Sequence, residues 1–370
     1  MFSVGMIGAG IIGASHLAAV AGHPDTRLAA VADIAPGRAQ QAAAPYGAHA
    51  YESYEEMLER EKLELVIINL PHGLHEACVL ACAEKGIHIL LEKPMSVSYA
   101  SCLRMNEACE KNGVLLQVGH VQRYIPQNRA ARALIESGKL GALAMISDLR
   151  TNNYFQPGRP RWFLEKAMAG GGISINYAAH SLDKICYLTQ SDIAWATGSC
   201  TYLQPGTDVD GSAQMLLRTS SGISASISLC GYSVVPIDET MLFFANGSLR
   251  LHTGSDLSVT CGSGYEAVGR GLVARNVHIA SGSLYFAFNL VSVRGGCVGV
   301  VPVVVSGADN LDIGFCNFGF LGEFLADKLF GYRQVAAEQP AYQSHCKHVA
   351  ALQHGFVVHT RVGKAVFHHL

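Results

Sequence analysis

Neither sign of charge dominates this sequence. Its 370 residues carry 27 basic and 29 acidic side chains, a formal charge of -2, which gives no reason to expect nucleic acid or an anionic membrane as the main partner. No CxxC pair occurs among the eleven cysteines, whose number is odd and whose closest spacing is Cys78 to Cys82. That pattern leaves no framework of paired cysteines and fits free thiols in a reducing compartment. No apolar run is long enough to span a bilayer: the most apolar, CVGVVPVVVSG, is short and contains Pro302. The opening MFSVGMIGAGIIGASHLAAV lacks a basic n-region, so it reads as mature structure rather than a signal peptide. Internal repeats and low-complexity linkers are missing as well. A cytoplasmic protein acting on a small molecule is the expectation, with no nucleic acid, no membrane and no metal.

What is present is a regular alternation. FSVGMIGAGIIGASHLAAVAG is a short apolar strand running into Gly8, Gly10 and Gly13 and then an alanine-rich helix. The next strand, LAAVADI, ends at Asp33, twenty residues past Gly13. This is the dinucleotide fingerprint in its full context: glycines for the tight turn and the close approach of a pyrophosphate, a helix N-terminus for the phosphates, and an acid for ribose hydroxyls. A carboxylate at Asp33 repels a 2'-phosphate and is followed by Ile34 rather than a basic residue, so NAD is favoured over NADP. Arg38 softens that choice. Strand and helix patterns continue through LELVIINL, HGLHEACVLACAEKG, IHILLEKP, ASCLRMNEACEKNG and VLLQVGH, as in a doubly wound parallel sheet.

The texture changes after His120. A helix closing at Gly138 is followed by long β-rich segments such as SAQMLLRTSSGISASISLCGYS. The expected fold class is therefore an α/β Rossmann domain over residues 1–121, then an α+β domain over 122–370 with a large, mainly antiparallel, open-faced sheet. A sheet with helices on one face needs cover on the other, and the apolar SLYFAFNLVSV (residues 283–293) points to a second subunit, hence a homodimer or homotetramer. The tail, CNFGFLGEFLADKLFG and AYQSHCKHVAALQHGFVVHTRVG, reads as helical, with its helices free to pack back on the first domain. Its HCKH, residues 345–348, has one spacing compatible with a metal and no further ligands, and is read as helical surface.

Three stretches taken together carry a family signature: the N-terminal fingerprint, the EKP at Glu92, Lys93 and Pro94, and GGGISINYAAHSLDKI from Gly170 to Ile185. The chain resembles the Gfo/Idh/MocA family, the enzymes like glucose-fructose oxidoreductase and inositol dehydrogenase. The resemblance runs from Met1 to about Leu251, thins over 252–312, and returns weakly in the tail. In that family a helix after a glycine run carries an Asp and, four residues later, a His beside the substrate, and the EKP lysine faces them. Mapped by motif, the lysine is Lys93, the histidine is His180, and Asn176 holds the usual Asp position. The resemblance also implies a cis bond before Pro94 and a cofactor contact surface of Gly8, Gly10, Ile11, Ile12, Gly13, Asp33, Asn69, Pro71, His72, His75, Glu92 and Lys93. Helix capping would explain His72 and His75 as well, and a structural ion pair would explain Glu92.

The chemistry agrees with those roles. Taking hydride from an alcohol carbon requires removal of the hydroxyl proton, and His is the side chain that titrates nearest neutral pH, so His180 is the general base. An ammonium at Lys93 stabilises the developing alkoxide. Asn176 orients the substrate; an Asp there would raise the pKa of His180, which the amide cannot do, so the base is expected to be less basic and the site better suited to an anionic substrate. Asp183 partly compensates, or merely packs. The glycines are expected to turn the chain under the nicotinamide and to begin the helix that presents Asn176 and His180. VGHVQRYIPQN resembles a stretch of sugar-processing relatives and puts Arg123 and Tyr124 near the substrate. RTNNYFQPGRPRWFLEK adds Arg150, Asn153, Arg159, Arg161, Trp162 and Lys166, of which Arg161 and Trp162 are assigned to substrate, with an exposed loop at a subunit contact as the alternative. The expected activity is an NAD-dependent sugar or cyclitol dehydrogenase. The alternatives are a glycosidase that uses NAD in a transient internal redox step, and a sensor that binds dinucleotide without chemistry.

Overall fold

A computed structural model describes residues 1–260 and 264–268, with six short strands beyond them: Val298–Val300, Val303–Val305, Leu311–Ile313, Cys316–Phe318, Val357–Arg361 and Lys364–His368. The chain forms two compact units, Met1–Leu325 and Ala326–Leu370.

The first unit opens with β1 (Phe2–Ile7), α1 (Ile11–Gly22), β2 (Thr26–Ala32), α2 (Arg38–Ala43), β3 (His49–Tyr51), α3 (Tyr54–Arg60), β4 (Leu65–Ile68), α4 (His75–Glu84), β5 (His88–Leu91), α5 (Tyr99–Lys111) and β6 (Leu116–Val118). The six strands form one parallel sheet in the order β3-β2-β1-β4-β5-β6, the doubly wound arrangement expected. Neighbouring residues feed opposite cores: Ile7 and Ile68 lie in one buried cluster, Met6 and Ile67 in the other. A strand buried on both faces must be apolar throughout, which is why these read as unbroken hydrophobic runs.

The same unit continues with α6 (Pro126–Glu136), β7 (Leu143–Asn153), α7 (Lys166–Ala169), α8 (Ile173–Thr189), β8 (Ile193–Thr201), β9 (Ser212–Thr219), β10 (Ser224–Cys230), β11 (Tyr232–Phe244), β12 (Gly247–His252), β13 (Leu257–Thr260) and β14 (Glu266–Ala267). These strands make an eight-stranded sheet, β14-β13-β12-β11-β7-β10-β9-β8, antiparallel except where β7 runs parallel to β10. Along β9, Ala213, Met215, Leu217 and Thr219 are buried while Gln214, Leu216 and Arg218 are exposed, the alternation of a sheet covered on one side. Ile146, Ile227 and Leu229 from the covered face meet Leu182, Ile185 and Leu188 of α8.

The tail departs from the helical reading where it is described. Cys316–Phe318 is a strand paired with Val298–Val300, and Val357–Arg361 pairs antiparallel with Lys364–His368. The Val-Val-His-Thr-Arg run alternates and is β-branched, which favours a pleated strand over a helix. The apolar segment 283–293 and the HCKH segment 345–348 lie outside the described residues.

Candidate active site

The nucleotide end is built on the first βα turn. Gly8 sits at a φ of 88° with its α-carbon against Asn69, a side-chain methyl there falling 2.7 Å from the Asn69 carbonyl oxygen. A Cβ on Gly13 would strike the Gly8 carbonyl. Gly10 faces open space instead, and as N-cap of α1 it offers no side-chain hydrogen bond, so the first amides of the helix stay available to a diphosphate. Asn69 donates to the Gly8 carbonyl at 3.2 Å and holds a buried Oδ1 with no partner, while Ile11, Ile12 and Ile34 stand exposed around the turn. Asp33 accepts from the amides of Ala9 at 2.9 Å and Ala35 at 2.8 Å, which fixes the carboxylate at the end of β2. Arg38 lies 3.3 Å from the same carboxylate. These residues fit a dinucleotide with free ribose hydroxyls.

The EKP turn after β5 meets α8. The Lys93–Pro94 bond is cis, and Lys93 Nζ donates to Asn176 Oδ1 at 2.6 Å and to the Asn176 carbonyl at 3.3 Å. Burial pushes the Lys93 pKa down to about 8, opposed by Glu92 and reinforced by Arg150 and Arg159. Glu92 accepts the Lys93 amide at 3.2 Å and sits 2.9 Å from His16 Nε2, so it is tied into a buried pair. His180 lies one turn beyond Asn176 on α8. Burial holds it well below the usual imidazole range, helped by the positive charges of Lys93 and Arg150, and its Nδ1 is buried without a partner.

The sequence-derived residues divide accordingly. Lys93, Asn176 and His180 come together. His72 directs Nδ1 to the Ala169 carbonyl at 2.8 Å, and its ring meets Trp162 at 4.9 Å. His75 places Nε2 at 2.8 Å from the Leu70 carbonyl and Nδ1 at 3.1 Å from those of Pro94 and Met95, bracing the EKP turn. Both histidines are buried, and burial lowers the pKa of each. Pro71 leads the short turn into them. Arg123 gives its fork to Asp183 at 2.6 and 2.9 Å, and Tyr124 is exposed. Asp183 is therefore neutralised by Arg123 and does not supply the charge missing at Asn176. Arg161 turns outward: its side chain is 89% exposed and pairs with Glu165 four residues on.

The glycine run opens α8 and leaves room for Asp210 to pack against it. Gly170 ends α7 at a φ of 83°, and a Cβ on Gly172 would collide with the Asp210 backbone. Asp210 caps α8, accepting from the amides of Gly172 at 2.7 Å and Ser174 at 2.8 Å and from the Ser174 hydroxyl at 2.8 Å. No local signal marks Asp210, which lies 38 residues from Gly172. His120, within VGHVQRY, is buried with both ring nitrogens unpartnered, and no sequence motif marks it for a role. Among the described residues no group of three or more His, Cys, Asp or Glu is placed to hold a metal, and no helix is long and apolar enough to cross a membrane.

Comparison with known proteins sets this site in context. Residues 2–120 match the profile of an oxidoreductase family with an NAD-binding Rossmann fold, and residues 128–250 match the Gfo/Idh/MocA C-terminal domain. The rhizopine catabolism protein MocA of Rhizobium meliloti is 30% identical over 232 residues, 62% of this chain and 71% of that protein. Inositol 2-dehydrogenase 2 of Saccharopolyspora erythraea is 29% identical over 286 residues, 74% and 79% of the two chains. A 1-carboxy-3-chloro-3,4-dihydroxycyclohexa-1,5-diene dehydrogenase of Comamonas testosteroni is 29% identical over 217 residues, 58% of this chain and about half, 54%, of the relative. Among solved structures, a levoglucosan dehydrogenase complexed with NADH and levoglucosan superposes with a TM-score of 0.68 at 22% identity, over 73% of this chain and 81% of that one.

Proposed function

Since the chain belongs to the Gfo/Idh/MocA oxidoreductase family, we propose that it is an NAD-dependent dehydrogenase that moves hydride between the nicotinamide and a secondary alcohol of a sugar, cyclitol or close derivative. The contact of Lys93 Nζ with Asn176 Oδ1, one helical turn from His180, carries this reading. Bound NAD would supply the hydride acceptor. The chain's own groups do the rest. His180, kept neutral at pH 7 by its surroundings, takes the hydroxyl proton. Lys93, charged below about pH 8, stabilises the alkoxide as it forms. Asn176 holds that ammonium in place without neutralising it. Gly8, Gly10, Gly13 and Asp33 hold the cofactor, with the carboxylate favouring NAD over NADP. The relatives that act on inositol and levoglucosan support the choice of a hydroxyl-rich substrate.

The outer face of the large sheet exposes Met145, Leu149 and Leu216, which favours a homodimer or homotetramer closed through it, with residues from 122 onward serving substrate and assembly. A monomer mass by light scattering would reject that assembly. For the activity, purified full-length protein is mixed with NAD or NADP and a panel of sugars, inositols and sugar acids, and reduced nicotinamide is followed by absorbance. The reading expects NAD-dependent absorbance with one substrate class, lost in His180→Ala. Silence across the panel with NAD bound would reject it.

A further inference from the structure

Resting on the dehydrogenase reading, we propose that Arg150 and Arg159 form an oxyanion clamp beside Lys93, so that the alcohol substrate carries a carboxylate or phosphate group. Arg150 is 7% exposed and uses one arm of its guanidinium, Nη2 donating to Asp238 at 2.5 Å. Its Nε and Nη1 are buried with no partner. Charged donors left bare in the interior are costly, and a planar fork is matched by a carboxylate or phosphate. Arg159 has no acidic partner among the described residues. Its guanidinium lies over the Tyr154 ring at 4.1 Å, with Nε buried and unpartnered.

The two arginines belong to one array. Tyr154 meets Tyr177 edge-on at 6.3 Å, and Arg150 sits over Tyr177 at 5.4 Å, so the aromatic pair carries a cation at each end. Tyr177 is on α8 next to Asn176, and the buried Tyr154 hydroxyl faces the Asn176 side chain. Arg150 over Tyr177 and Arg159 over Tyr154 flank Asn176, on whose Oδ1 the Lys93 ammonium rests, and both arginines repel that charge. The nearby acids are already engaged: Asp183 with Arg123, Asp148 with Lys184, Asp238 with both Lys184 and Arg150, and Glu92 against His16, which leaves Arg159 without one. With Asn176 in place of an acid, the positive charge stays open to a ligand.

The test is calorimetric titration of the full-length, NAD-loaded protein with matched ligands: D-glucuronate and D-gluconate as carboxylates, glucose 6-phosphate as a phosphate, glucose and myo-inositol as neutral controls. At least one acid is expected to bind about tenfold or more tightly than its neutral counterpart, and which acid does so separates carboxylate from phosphate. Arg150→Met endangers the fold because Arg150 also anchors Asp238, so Arg159→Gln, at a half-buried residue without an ion pair, is the primary variant. It should weaken acid binding by about tenfold and leave neutral ligands unchanged. Asn176→Asp should act in the same direction. If no acid binds, or if Arg159→Gln weakens acid and neutral ligands alike, the clamp is rejected. Reduced nicotinamide is measured in the same samples; selective acid binding without its formation would reject the dehydrogenase reading and leave the clamp standing.

Discussion

Lys93, Asn176 and His180 set the pH behaviour of the site. His180 must be neutral to accept a proton, and its pKa is depressed, so kcat/KM should hold on the acid side until below about pH 6.5, the free imidazole value. Lys93 must be charged, and its pKa is about 8, so kcat/KM should fall above that value. Asn176→Asp places a carboxylate against the ammonium. It should raise the Lys93 pKa and move the alkaline limb upward, and a pH-rate profile identical to the parent's would reject this account. Of these residues, Lys93, Asn176 and His180 were legible because motif and helical spacing fix them within one short stretch each. Arg150 and Arg159 were visible only as a basic run. Which of its members turns inward depends on the partner each finds: Glu165 draws Arg161 outward, while Tyr154 and Tyr177 receive the other two.

Helix α8 presents this constellation, and two buried polar contacts position it. Asp210 caps its N-terminus, so Asp210→Ala strips three donors at once and should cost about 2–4 kcal/mol in urea unfolding. An effect under about 0.5 kcal/mol, in the range of ordinary surface substitutions, would show that the cap does little. One turn beyond His180, Lys184 is fully buried and pairs with Asp148 of β7 at 2.8 Å and Asp238 of β11 at 3.0 Å. Lys184→Met leaves the buried Asp148 without its cation, while Asp238 keeps Arg150, and should cost about 3–5 kcal/mol by the same measurement. Wild-type stability in that variant would mean the pair is no more than neutral against an apolar side chain. The strands and helices of the first sheet were readable because each alternates with its neighbour within about twenty residues. The tail was misread where apolar spacing in a short β-branched run fits helix and strand alike.

Across the whole molecule, His72, His120 and His180 are each held below the ordinary imidazole pKa, chiefly by burial. In the unfolded chain they take up protons near pH 6.5; in the folded protein they do so only at lower pH. The unfolded state therefore binds more protons in that window, and stability is lost as pH falls below about 6.5, levelling off once the folded-state values are passed. Scanning calorimetry of the protein without added NAD should show Tm falling steadily from about pH 7 to pH 5. A flat Tm over that range would mean these histidines take up protons in the folded state at the same pH as in the unfolded chain.

The sequence by itself determined the doubly wound sheet, the dinucleotide turn from Gly8 to Asp33 and the second sheet, and its family motifs singled out Lys93, Asn176 and His180. Those features are local: glycines at fixed offsets, hydrophobic period, and residues four apart on one helix. The tertiary structure alone decided that Asp210 packs against Gly172 and caps α8, that Asp183 belongs to Arg123, and that Arg150 keeps two bare donors near Lys93. Such choices depend on which side chains from distant segments meet in the interior, where an unpartnered charge is costly.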